Sequence, residues 1–323
     1  MTDATPDLTE AQNDLVRISL RNDIIFKYVF GHEKNEKILR ALLNALLNLM
    51  GERKIESLTF PNTANLKTYL NAKYSCLDVR AQDGTGKRYN IEMQVRGGIS
   101  YIGRAIYYHD RLFSDQLVEG EKYEVLKKTL SISILNFALL PEENDLHNVF
   151  RYGNIKSGRE LTDIKELHFV ELPKFTKEKP RQLMTRFEKW LYVLKFGELY
   201  KDNPEKLPAT LKAEEEIVMA VERMREAEGD AVVRELMEAR QKALHDEATW
   251  RGEFMQEAMQ RIRQEVRQEG LQEGLQEGLQ KGLQEGLQEG LHEGTIRSAH
   301  KMVEAGMARE EVARILGIPI ESL

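Results

Sequence analysis

The sequence predicts an α/β domain followed by a helical tail, on three observations. Residues 74–95, YSCLDVRAQDGTGKRYNIEMQV, read as two strands around a Gly-rich turn, and Thr129 to Leu139 is an apolar, β-branched run of the kind that forms a central buried strand. Between and after these strands, apolar residues recur at helical spacing. In order along the chain, a polar leader occupies residues 1–16. Residues 21–50 are expected to be helical, with Ile38, Leu39, Leu42, Leu43, Leu46, Leu47 and Met50 forming the apolar stripe. A linker through Pro61 leads to the hairpin, and a helix follows from about Tyr101 to Glu119. After the central strand, Phe150-Arg151-Tyr152 and Leu167 to Leu172 read as further strands. Residues 181–200 form an amphipathic helix through Leu183, Phe187, Trp190, Leu191 and Leu194.

Within the hairpin, side chains alternate between faces. The first strand sets Leu77, Val79 and Ala81 against Cys76, Asp78 and Arg80, and the second sets Ile91, Met93 and Val95 against Asn90, Glu92 and Gln94. With Gly84-Thr85-Gly86 as a three-residue turn, Asp83 pairs with Lys87, and counting back brings Asp78 opposite Glu92. Carboxylates facing each other across a ladder repel unless a cation or a proton lies between them. Oxygen-only ligands suit Mg²⁺, which takes one or two protein carboxylates and keeps several waters. Spacing alone leaves open a second reading, in which one of the two acids faces solvent on a half-exposed hairpin.

The tail changes character twice. Residues 208–268 are rich in Glu, Ala, Met and Arg and are expected to be long helix. From Gly270 the unit LQEG recurs, with Leu271, Leu275, Leu279, Leu283, Leu287 and Leu291 four apart and Gly at every fourth position to Gly294. A period of four overshoots the helical turn, so the Leu line advances about 40° per unit and is not a heptad. Each Gly costs a helix roughly 1 kcal/mol, so the segment reads as a spacer or as an arm that needs a partner to stay folded. The last segment, from Ser298, reads as a helix ending at Gly306, a second over about 308–316, then Gly317. It resembles the small helical ends of resolvases and helix-turn-helix modules. With only Arg309 and Arg314 on its second helix, it is expected to be an oligomerisation or regulatory unit rather than a DNA reader.

Composition sets the outer limits. At 323 residues the chain can bury one large core and leave an accessory region. No run of about eighteen apolar residues occurs, and the start, MTDATPDLTEAQNDLV, is polar and acidic, so no membrane span and a cytoplasmic location are expected. The single Cys76 excludes an internal disulfide and a Cys/His zinc cluster. His109, His147 and His168 share no spacing with the acids and are expected to be structural. The net charge of −6 divides unevenly, with about +3 in residues 1–200 and about −9 in the remainder.

Asp78 followed thirteen residues later by Glu92-Met93-Gln94 resembles the core motif of the PD-(D/E)xK nuclease superfamily, in a variant ending in Gln. The surroundings resemble one branch, the recombination-promoting nucleases and transposase-like proteins of the Rpn family. The matching segments are Leu20 to Gly31, Ile91 to Gln94, Arg104 to Tyr108 with Gln116 and Leu117, Ser131 to Phe137, and Glu171 to Phe175. The resemblance covers roughly residues 17–200 and implies a restriction-endonuclease-like mixed sheet flanked by helices. It places a nuclease domain at 17–205, a helical region at 206–268, the repeat at 269–294 and a small helical unit at 295–323.

What the resemblance implies about chemistry is a metal-dependent DNA endonuclease. Asp78 and Glu92 would hold Mg²⁺, with Mn²⁺ or Ca²⁺ as substitutes, and the backbone carbonyl of Met93 would add a ligand. Gln94 departs from the usual Lys: an amide orients water or phosphate by hydrogen bonds but neither ionises nor carries charge. Asp23 is the expected accessory carboxylate, although it could equally cap the first helix. Arg104 and Tyr108, at i and i+4, share one face that could address the phosphate. Lys87, Arg88 and Arg96 are candidate DNA contacts, as are Lys174, Lys177, Lys179, Arg181, Arg186 and Lys189, a solvated basic face being the alternative for each. Two further readings differ in class or substrate: a non-catalytic DNA-binding or assembly protein on a degenerate nuclease fold, and an RNA-directed nuclease toxin. A homo-oligomer assembled through the tail is expected.

Overall fold

In the computed structural model, which describes residues 16–61 and 79–323, helix α1 spans Asp23–Phe30. Asn22 caps it, its side chain accepting from the backbone N–H groups of Ile24 and Ile25. Helix α2 spans Glu36–Leu46 after one 3₁₀ turn, so the expected helical stretch is broken near Gly31. A Cβ at Gly31 would lie 2.6 Å from the carbonyl oxygen of Lys27, so only glycine fits where α1 ends. Met50, expected in the apolar stripe, lies past the end of α2 and is 62% exposed.

Strand β1 is Leu58–Thr59, β2 is Val79–Asp83 and β3 is Arg88–Gln94. The β2–β3 turn has the expected geometry: the Asp83 N–H donates to the Lys87 carbonyl at 3.0 Å, and Gly86 supplies φ +88°. The Asp83 carboxylate fastens the turn, accepting from the Thr85 N–H at 2.8 Å and its hydroxyl at 2.7 Å. The register runs from Val79↔Ile91 to Gln82↔Arg88, as the three-residue turn requires.

Helix α3, Ser100–Ser114, ends short of the expected Glu119. Strands β4 (Thr129–Leu135), β5 (His147–Gly153) and β6 (Glu160–Glu171) complete a mixed sheet in the order β1-β2-β3-β4-β6-β5. β3, β4 and β6 are parallel, and the remaining pairs are antiparallel. On one face Val79, Ala81, Ile91, Met93, Ile132, Ile134 and Val170 enter the main core. Against it pack α1, α2, α4 (Arg186–Phe196) and, after the short α5 (Ala209–Lys212), α6 (Glu215–Gly229). The other face meets α3, where Tyr101 and Ala105 cluster with Leu135, Phe137, Leu139 and Phe169. This is a restriction-endonuclease-like α/β arrangement.

The helical region expected at 206–268 is interrupted. Asp230 is extended and starts α7, Ala231–Glu304, its carboxylate accepting from the N–H groups of Val232 and Val233. Ile217, Ala220, Val221, Met224 and Ala227 of α6, with Val233 and Leu236 of α7, are buried in the main core. The first compact unit therefore extends to His245, past the boundary expected at 205, and the second is Asp246–Leu323. Within the second unit the LQEG segment is helical, and its six leucines are 64–77% exposed. Gly306 at φ +98° ends the turn after α7, and α8, Arg309–Leu316, is closed by Gly317 in the left-handed region. Among the described residues no helix is long and apolar enough to cross a membrane.

Candidate active site

Glu92 lies in the middle of the sheet on β3, facing α3, and is 5% exposed. The parallel register sets Ser133 of β4 beside it, and Phe169 of β6 beside Ser133. Tyr101, in the first turn of α3, points its hydroxyl between the two strands. That hydroxyl donates to Glu92 Oε1 and lies 2.8 Å from Ser133 Oγ. With its single proton committed to the carboxylate, the phenol accepts from Ser133. On the other carboxylate oxygen, Gln94 Nε2 donates to Glu92 Oε2 at 3.1 Å. Glu92 is thus oriented through both oxygens by side chains from two elements, Tyr101 of α3 and Gln94 of β3.

Gln94 follows Glu92 on the same face, and its amide nitrogen serves the carboxylate. The Met93 side chain points the other way, into the main core, so only its backbone carbonyl is suited to a metal. Asp78 lies outside the described residues; the measured register stops one position short, at Val79↔Ile91. Among the described residues no three His, Cys, Asp or Glu side chains form a group able to hold a metal. The donors that are described, a carboxylate and a carbonyl, are hard oxygens and fit a divalent cation such as Mg²⁺.

Of the accessory residues, Asp23 is ion-paired. Its carboxylate is held by both terminal nitrogens of Arg240 on α7, with Nη2 to Oδ2 at 3.0 Å, and the cap of α1 is Asn22, not Asp23. Arg104 is exposed, its guanidinium 4.9 Å from the centre of the Tyr101 ring, so it borders the Glu92 cluster through that ring. Tyr108 is edge-on to Tyr107 at 5.4 Å, one turn further along α3. Arg96 continues the Glu92–Gln94 side of the chain past the end of β3. Its Nε and Nη2 are buried with no hydrogen-bond partner among the described residues, which suits an incoming anion. Arg88 shares the face of Glu92 at the far end of β3, whereas Lys87 lines a cavity on the opposite face.

Much of the basic 174–189 stretch is engaged internally. Lys174 donates to the carbonyls of Leu140 and Glu143 at 2.8 Å and pairs with Glu171. Lys177 pairs with Glu188, and Arg186 and Lys189 both pair with Glu214. These four cations are each paired with a carboxylate of the same compact unit. Gln116, part of the sequence resemblance, is also structural, clamping Lys127 and Thr129 at the start of β4.

The description "PD-(D/E)XK nuclease family transposase" matches residues 20–252. The chain belongs to this family. No curated protein and no solved structure matches the chain. The family match runs past the end of the first compact unit and takes in α6 and the start of α7. Sequence reasoning missed Tyr101 and Ser133 as partners of Glu92 in this nuclease fold. The signal was present in β4, where Ser131 and Ser133 alternate with Ile132 and Ile134. Hydroxyls at every second position of a central strand imply something polar to bond on that face.

Proposed function

We propose that this chain is a Mg²⁺-dependent endodeoxyribonuclease, with Mn²⁺ or Ca²⁺ as substitutes, acting in the recombination or movement of DNA. The observation that carries the reading is the hairpin register, which sets Val79 opposite Ile91 and directs buried Glu92, with Gln94 bonded to it, onto the face beside Tyr101. Asp78 and Glu92 would hold the metal together with the Met93 carbonyl. A bound divalent metal supplies an activated water and positive charge on the non-bridging phosphate oxygens. Gln94 fixes one Glu92 oxygen. Tyr101 fixes the other oxygen, and Arg96 receives the phosphate through its unpartnered N–H groups. Without a Lys at position 94, no side chain there supplies charge, so turnover depends more heavily on the metal. The exposed Leu line from Leu271 to Leu291 makes the repeat a self-association arm, giving a homo-oligomer.

The test uses the full chain and its Asp78→Ala variant with supercoiled and linear DNA in Mg²⁺, Mn²⁺, Ca²⁺ or EDTA, with RNA in parallel. Metal-dependent nicked or linear DNA that the variant does not produce is the expected result. Cleavage of RNA alone would assign the substrate differently. DNA binding without cleavage in every metal would support a non-catalytic assembly protein.

A further inference from the structure

We propose that the cavity on the sheet face opposite Glu92 is a binding site for a free nucleotide. The cavity has a volume of ≈ 890 Å³, within the range of small-molecule sites. Tyr89, Leu130, Glu166 and His168 line it. These positions alternate with those facing α3, so the site is separate from the Glu92 cluster and does not rest on the nuclease reading.

Its inner wall is a chain of buried polar groups. Glu166 Oε1 accepts from Lys128 Nζ at 2.8 Å and Arg151 Nη2 at 2.5 Å, and Oε2 lies 3.2 Å from His168 Nε2. His168 Nδ1 lies 3.0 Å from His147 Nε2. Burial raises the Glu166 carboxyl, but hydrogen bonds from His168 and Lys128 outweigh it and hold the group down at about 2. Burial, together with the His168 ring, pushes His147 down to about 4.

The charges on the walls do not cancel. The carboxylates lining the cavity are Glu160, Asp163 and Glu166, and each is already paired with Lys128 or Arg151. Arg53 and Lys87, both exposed, line the same cavity and form no ion pair among the described residues. They provide a phosphate seat that the wall carboxylates do not occupy. Leu47, Leu49, Leu130 and Val149 supply an apolar side. An anion seat, an apolar side and the polar ring of His147 together match a phosphate, a base and a hydrogen-bonding hydroxyl or amine.

The test is titration calorimetry of the full chain with AMP, GMP, CMP and TMP, with adenosine and inorganic phosphate as partial ligands. Saturable binding of at least one mononucleotide is expected, at least tenfold tighter than adenosine or phosphate. The double variant Arg53→Ala/Lys87→Ala, altered only at exposed positions, should lose that binding tenfold or more, and Glu92→Ala should keep it. No binding of any mononucleotide overturns the proposal, as does phosphate binding as tightly as the nucleotide. Loss in Glu92→Ala with retention in the double variant would move the ligand to the other face and overturn it too. Equal competition by a 5′-phosphorylated oligonucleotide would assign the cavity to a strand end and overturn the free-nucleotide reading.

Discussion

Tyr101 is the residue on which the Glu92 geometry turns, because its hydroxyl ties a helix to two strands at the carboxylate. In Tyr101→Phe, one carboxylate oxygen and Ser133 Oγ lose their partner. The Mg²⁺ concentration for half-maximal cleavage should rise about tenfold, the usual effect of removing a group that orients a metal ligand. Stability should fall by about 1–3 kcal/mol; an unchanged metal requirement would make Tyr101 a packing residue only. His109, 2% exposed on the buried side of α3, has both ring nitrogens unpartnered among the described residues. Burial, then the nearby Lys165 ammonium, pushes its imidazole from 6.5 down to about 4. Between those values the unfolded chain binds a proton that the folded chain refuses, so stability drops as pH falls from 6.5 towards 4. The drop is on the order of 3 kcal/mol for such a ring. In His109→Phe, denaturant melts across this window should show about half the wild-type slope, the rest belonging to His147.

At the scale of elements, the Asp23–Arg240 pair fastens the first turn of α1 to α7. Asp23→Ala and Arg240→Ala should each lower stability by about 1–2 kcal/mol while leaving the metal dependence of cleavage unchanged. A shifted metal requirement in Asp23→Ala would restore Asp23 as a metal ligand. The LQEG helix carries seven glycines from Gly270 to Gly294, each worth roughly 1 kcal/mol against alanine. A peptide of residues 269–294 should therefore show little helix by circular dichroism at low concentration, and deletion of 269–323 should lower the mass measured by sedimentation. The β2–β3 hairpin was legible because turn chemistry and alternation are local, and Gly84-Thr85-Gly86 sets the register by itself. The break at Gly31 and the ion pairs of Lys174, Lys177 and Lys189 were not legible, since each depends on what packs nearby. Ser133 reaches Glu92 only through a parallel pairing of strands that are far apart in sequence, and no local pattern reports such a pairing.

For the whole molecule, a mixed sheet separates two polar sites. One face carries Glu92, Gln94 and Tyr101 beside α3, and the other holds Glu166, His168 and His147 at the base of a cavity. The division of charge, about +3 in residues 1–200 and about −9 beyond, sets a mildly basic nuclease half against an acidic tail. DNA affinity should therefore fall as salt rises, and by more in a variant lacking residues 269–323, where the acidic repeat no longer opposes the phosphate backbone. The family match accounts for the nuclease fold, and the proposed chemistry rests on the Glu92 carboxylate. The most direct measurement is supercoiled-plasmid nicking by wild type and Glu92→Gln across a Mg²⁺ titration, with circular dichroism to show that both are folded. Nicking by wild type that rises with Mg²⁺ and is absent in the folded variant is the predicted result. Equal nicking by the two proteins, or none by wild type at any Mg²⁺ concentration, would contradict the account.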